Sequence, residues 1–309
     1  MGTKMNLDII KNINLGNYKE VQELAKIYVK HDDEFLAMAF DTGSLAVYVY
    51  SCFMTLEEQT ATLHEKAAYI MNAALVYYNG YSCSIMHIRR MLRLEPDNLS
   101  YWSQLLYCNH IPDHLVHDEE AYQICLYILN CNPRDAFAKE MKDRIEKYHL
   151  NMVTESKPYN PCDEQYHEFV TLVHTGFYEQ ARALLSSYSY EKIAELLLTL
   201  TQRHQSVAFY TYAFFMLLDQ EHAMGHLLAG QLLMQLKNVI GAQSGALFHA
   251  RRAMQMDPGS LQCLDFFLSF YTLSESLLTI EEALYCARQI VYIDPEHEYA
   301  RIVLVQLNA

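Results

Sequence analysis

The 309-residue sequence predicts an all-α fold, an α-solenoid of helical hairpins made of two similar halves. Three observations predict it: apolar residues at helical spacing, helix-ending prolines that recur 37 residues apart, and a longer self-similarity at an offset of 162. No stretch shows the alternation and turn pairs of a β-hairpin. With only 10 Gly and 7 Pro, the chain is poor in breakers, as long helices with tight connections require.

Taken in chain order, Val21, Leu24, Ala25, Ile27 and Tyr28 form one helix face, and Leu227, Leu228, Leu232, Leu233 and Leu236 form another. An amphipathic stretch from Ile88 ends at Glu95-Pro96, and one from Cys125 ends at Asn132-Pro133, with 133 − 96 = 37. The same ending recurs after Ala250-Arg251-Arg252-Ala253 at Asp257-Pro258 and after Ala287-Arg288-Gln289-Ile290 at Asp294-Pro295, and 295 − 258 is again 37. Proline stops a helix because it lacks the backbone donor, clashes with the preceding turn and restricts the residue before it. Gly16-Asn17-Tyr18-Lys19-Glu20-Val21 and Gly176-Phe177-Tyr178-Glu179-Gln180-Ala181 read as tight inter-helix turns, with Gly at the bend and Tyr and Ala packed between helices.

At these residues the chain resembles the tetratricopeptide repeat (TPR), although no single unit carries the complete consensus. The resemblance implies TPR-like stacked hairpins with a concave face that binds peptides or protein surfaces.

The longer offset is gapless over much of the chain. Ser44, Ala46, Tyr48, Tyr50, Phe53, Met54 and Leu56 meet Ser206, Ala208, Tyr210, Tyr212, Phe215, Met216 and Leu218. His64 meets His226, His87-x-Arg89-Arg90 meets His249-x-Arg251-Arg252, and Glu119-Glu120-Ala121 meets Glu281-Glu282-Ala283. Shared apolar spacing is common to unrelated helices, but shared His and Arg identities are not. The expectation is therefore an internal duplication, with a first helical half at 1–150, a linker at 151–161 and a second half at 162–309. Lys157-Pro158-Tyr159-Asn160-Pro161 marks the joint, since two prolines in a polar segment do not continue a helix. Each half has length for roughly nine helices.

The formal net charge of −14 argues against nucleic acid and favours a basic partner, because phosphate binding needs clustered Lys and Arg. The 8 cysteines form no C-x-x-C pair and fall mostly in apolar runs, so they read as buried free thiols. Met1 to Asn12 lacks a signal-peptide core, and a reducing, cytoplasmic location is expected. Leu45–Leu56 and Val207–Leu218 are shorter than the ~20 residues that span a bilayer and read as core helices, so no membrane association is expected.

The repeated His-x-Arg-Arg is the sharpest polar feature, with His87 and Arg90, like His249 and Arg252, one helical turn apart. Two readings stand: Arg89, Arg90, Arg251 and Arg252 clamp an acidic group, or they make ion pairs within the fold. His64 and His226 lack metal-ligand spacing and read as buried, hydrogen-bonded histidines; no metal or cofactor is implied. The chain's 24 tyrosines include Tyr48, Tyr50, Tyr210 and Tyr212 in register. Tyr is enriched at interface hot spots, and because Tyr48 and Tyr50 are two residues apart, at least one is expected to look toward a groove or solvent. Arg144-Ile145-Glu146-Lys147-Tyr148-His149 has the spacing of a HEPN-type ribonuclease pattern, with an apolar residue where a polar one is usual.

The function expected is a non-catalytic protein-protein interaction module. A weaker resemblance around His-x-Arg-Arg, to short bacterial TPR-like proteins found beside toxins, implies an immunity protein that neutralises a toxin by binding it. A peptide-sensing regulatory protein and a HEPN-type ribonuclease are the alternatives.

Overall fold

The computed structural model describes residues 2–28, 33–111, 114–149, 166–272 and 277–307. Among them the chain is 78% helical with no strand, and its helices pack in neighbouring pairs. The first nine helices are α1 (Gly2–Asn14), α2 (Tyr18–Tyr28), α3 (Asp33–Thr42), α4 (Leu45–Glu57), α5 (Ala61–Tyr69), α6 (Gly80–Leu94), α7 (Leu99–His110), α8 (Asp118–Cys131) and α9 (Ala136–His149). They are followed by α10 (His167–His174), α11 (Tyr178–Leu184), α12 (Tyr190–His204), α13 (Ala208–Asp219) and α14 (Ala223–Gln235). The last four are α15 (Ala242–Met256), α16 (Leu261–Ser269), α17 (Ile280–Ile293) and α18 (Glu298–Gln306). The expected linker at 151–161 and Cys162 lie outside the described residues.

The helix ends follow local chemistry. α6, α8, α15 and α17 stop at Leu94, Cys131, Met256 and Ile293, each two residues before its proline. The next helix is restarted by a side-chain cap: Asn98 Oδ1 accepts from Ser100 N, Asp135 Oδ1 from Ala138 N, Ser260 Oγ from Cys263 N and His297 Nδ1 from Ala300 N. Gly16 and Gly176 have φ of +65° and +74°, the left-handed bend expected of the two turns. Tyr18 and Tyr178 behind them are buried, as are Val21 and Ala181.

Two compact units form, and neither coincides with a predicted half. One unit joins Met1–Glu57 to Ser189–Ala309, and the other is Glu58–Tyr188. In the first, the α1–α2 turn lies against α15: a Cβ on Gly16 would stand 2.8 Å from the Phe248 backbone nitrogen. Tyr18 stacks on Phe248 at 4.3 Å and donates its hydroxyl to the Ala46 carbonyl at 3.1 Å. In the second, the α10–α11 turn lies against α6, where a Cβ on Gly176 would meet Ile85 Cγ2 at 2.4 Å. The opening hairpin of each sequence half is thus packed on a helix from the other half.

The expectation that Tyr48 or Tyr50 faces a groove or solvent is overturned. Tyr48 is 0% and Tyr50 3% exposed, and Tyr210 and Tyr212 are equally buried. The reason is that α4 is covered on more than one side. Tyr50 packs among Tyr18, Phe35 and Phe53, while Tyr48 meets the Tyr210 ring and shares a 3.2 Å hydrogen bond with Thr211 Oγ1. Helix-face arguments fail for a helix that is apolar all round, because such a helix is a core element. The cysteines are buried as expected at Cys52, Cys83, Cys108, Cys125, Cys263 and Cys286, but Cys131 is exposed at the end of α8. No helix of the described residues is long and apolar enough to cross a membrane.

The turn geometry makes a graded prediction. Gly43 also has positive φ, +59°, but open space where a Cβ would go. Gly43→Ala carries only the left-handed penalty of about 1 kcal/mol. Gly16→Ala adds a backbone collision, so urea unfolding should show a loss of about 3 kcal/mol or more. Equal losses would place the strain elsewhere.

Candidate functional site

The polar residues singled out by the 162-residue offset assemble into two buried histidine pairs. In the first unit the pair sits between α14 and α15. Small residues let these helices approach: a Cβ on Gly230 would be 3.2 Å from the Ala246 carbonyl. His226 on α14 and His249 on α15 are both fully buried, with their Nδ1 atoms 2.8 Å apart. The outer nitrogens are also bonded. His226 Nε2 lies 2.9 Å from Glu221 Oε1, and His249 Nε2 lies 3.1 Å from the Tyr210 hydroxyl. Glu221 in turn accepts from Arg252 Nε at 2.7 Å and Nη2 at 3.1 Å.

This chain of bonds has one consistent direction when both rings are neutral. The ionised Glu221 only accepts, so His226 carries its proton on Nε2 and accepts on Nδ1 from His249 Nδ1–H. His249 then accepts on Nε2 from the Tyr210 hydroxyl. The energetics agree with neutrality. Burial lowers the pKa of His226 against the opposing pull of Glu221, and burial, then His226, hold His249 well below the usual range. Glu221 is held at about 2, chiefly by its bond to His226 and then by Arg252.

In the second unit His64 on α5 and His87 on α6 repeat the central bond, again at 2.8 Å between Nδ1 atoms and again fully buried. The flank differs. Position 59, which is 162 residues before Glu221, is the exposed Gln59, and His64 Nε2 is buried with no hydrogen-bond partner. Burial and the neighbouring Arg90 charge lower His64 to about 4, and burial, His64 and Arg90 keep His87 well below the ordinary histidine value.

The arginines of the motif are engaged by the chain itself. Arg89 grips Glu120 through two bonds of 2.7 and 3.0 Å, and its guanidinium lies 3.9 Å over the Phe177 ring. Arg251 pairs with Glu282 and lies 5.4 Å from the Phe267 ring centre. Both carboxylates occupy the first turn of a helix, where the dipole favours negative charge. Glu282 also closes a capping box, accepting from Thr279 N at 2.9 Å. Arg252 holds Glu221 and approaches Glu57 at 3.6 Å, and Arg90 is half-buried beside the His64–His87 pair. The ion pairs are therefore made inside the fold, and Tyr48, Tyr50 and Tyr212 contribute core packing with no face toward solvent.

Among the described residues no three His, Cys, Asp or Glu side chains converge to hold a metal. Arg144, half of the ribonuclease-like pattern, bonds His110 Nδ1 at 2.8 Å and Asn109 Oδ1 at 2.7 Å; the side chain of His149 lies outside the described residues. No protein-family model matches the sequence, and no curated protein does.

Sequence reasoning missed Glu221 because the 162-residue offset pairs it with Gln59, so self-similarity passes over it. It supports two buried groups, and Glu221→Ala should cost about 3 kcal/mol in chemical denaturation. Arg93→Ala, which breaks an exposed 2.7 Å pair with Glu179, should cost under about 0.5 kcal/mol. Comparable losses would mean that the buried relay carries no special weight.

Proposed function

We propose that the chain is an internally duplicated TPR-like solenoid that acts as a non-catalytic protein-binding module, with an immunity protein that occludes a basic toxin as its most specific form. The observation that carries the reading is the surface of the α17–α18 hairpin. Tyr292 is 85% exposed and Val305 76%, and Ile280, Tyr285 and Ile302 lie open beside them. At an offset of 162 the α8–α9 hairpin has Asn130, Asp143, Asp118, Gln123 and Glu140 in the same order. Apolar side chains at positions that solvate well in the matching hairpin mark a surface used for contact.

The partner is basic by charge complementarity. Glu281, Glu282, Asp294, Glu296 and Glu298 lie on or between these two helices against Arg288 and Arg301, within a chain of net charge −14. Such a rim steers a cationic protein toward an apolar, aromatic centre. The motif residues support the fold instead: His87 and His249 bond His64 and His226, and Arg89, Arg251 and Arg252 pair with Glu120, Glu282 and Glu221.

Pull-down from the native host at low salt, with mass spectrometry of the eluate, should recover one basic protein in near-equal amount. Tyr292→Glu with Val305→Glu should weaken its capture at least tenfold, and raised salt should lower the association rate. Recovery of only a short peptide would replace this reading with the peptide-sensing regulator. Ribonuclease activity that is lost in Arg144→Ala would replace it with the enzyme.

A further inference from the structure

The two histidine pairs share their central geometry but not their means of accepting a proton. In the His226–His249 pair an added proton has a carboxylate to meet, because Glu221 already lies 2.9 Å from His226 Nε2. In the His64–His87 pair the corresponding nitrogen, His64 Nε2, has no partner, and both rings are fully buried.

Among the described residues no carboxylate is bonded to His64 Nε2. On α5 the carboxylate of Glu65 accepts from Gln104 of α7 at 3.2 Å. On α6, the Arg90 charge bears on His64, and Arg89 and Arg93 pair with Glu120 and Glu179. The π-helical turn Ile70–Ala74 has no titratable side chain, and the 3-10 turn Val76–Tyr78 has two tyrosines. α7 contributes Tyr101, Tyr107, Cys108 and His110, and α10 contributes His167, His174 and the exposed Glu168. A charge on the His64 ring therefore requires water at Nε2, and water requires the helices to part.

α6 does not part alone. Besides His87 it carries Ile85 beneath the Gly176 turn, Arg89 against Phe177 and Glu120, and Arg93 against Glu179. Hydrating its buried face loosens the α10–α11 hairpin and α8 with it.

We propose that the His64–His87 pair is an acid-sensitive trigger, through which the Glu58–Tyr188 unit opens before the other unit as pH falls. This stands apart from the partner-binding reading. The sign follows from the lowered histidine affinity. The open state binds more protons than the closed one below about pH 6.5, so stability present above that value is lost as pH falls toward about 4.

The test uses the whole chain. Trp102, the single tryptophan, packs against the core of this unit and donates to the Pro96 carbonyl at 2.7 Å, so its emission reports on that unit alone. Far-UV dichroism reports on all helices. In titration from pH 7.5 to 3.5, the Trp102 transition should precede most of the loss of helicity. Gln59→Glu, an exposed change that supplies the missing carboxylate, should lower the Trp102 midpoint by about one pH unit. Glu221→Gln should raise the midpoint of the later step. His64→Gln with His87→Gln, which leaves no ring of the pair to titrate, should abolish the early step. A single coincident transition, or an early step unmoved by Gln59→Glu, would overturn the proposal.

Discussion

The interior of this molecule depends on hydrogen bonds between polar atoms taken out of water, with His64 Nε2 as an exception. The Nδ1–H···Nδ1 bond between neighbouring histidines occurs twice, at 2.8 Å in each unit. Two neutral imidazoles satisfy each other only if one donates and the other accepts, which sets the tautomers and then what flanks them. In the His226–His249 pair the flanks are filled by Tyr210 and Glu221, and Glu221 in turn fixes Arg252. The small residues of α14 and the near contact of Gly230 with Ala246 follow from bringing two helices close enough for the rings to meet.

What could be read in the sequence was what is local. The four helix ends before Pro96, Pro133, Pro258 and Pro295, and the two glycine bends at Gly16 and Gly176, each follow from the backbone chemistry of one or two residues. The way hairpins are distributed between the compact units was not readable. Gly16 needs the backbone of Phe248 and Gly176 needs Ile85, contacts across a large sequence separation that no local pattern encodes. The tyrosines misled for a related reason: the spacing of Tyr48 and Tyr50 says they point apart, but not that both directions lead into aromatic packing. At the candidate site, repetition pointed to His87, His249 and their arginines and passed over Glu221, the residue that distinguishes one pair from the other.

The same bookkeeping bears on function. Residue types that suggest chemistry, His, Arg, Glu and Tyr, are joined to one another in the interior, and the groups left facing solvent on α17 and α18 are apolar and aromatic with carboxylates around them. The protein-binding role we propose rests on that surface.

The central claim, that neutral, directionally bonded histidines hold the interior, is tested most directly by imidazole ¹⁵N chemical shifts at pH 7. The account predicts a neutral His226 protonated on Nε2 and a neutral His249 protonated on Nδ1, with His64 and His87 also uncharged. An imidazolium signature at any of the four, or the opposite tautomers at His226 and His249, would contradict it.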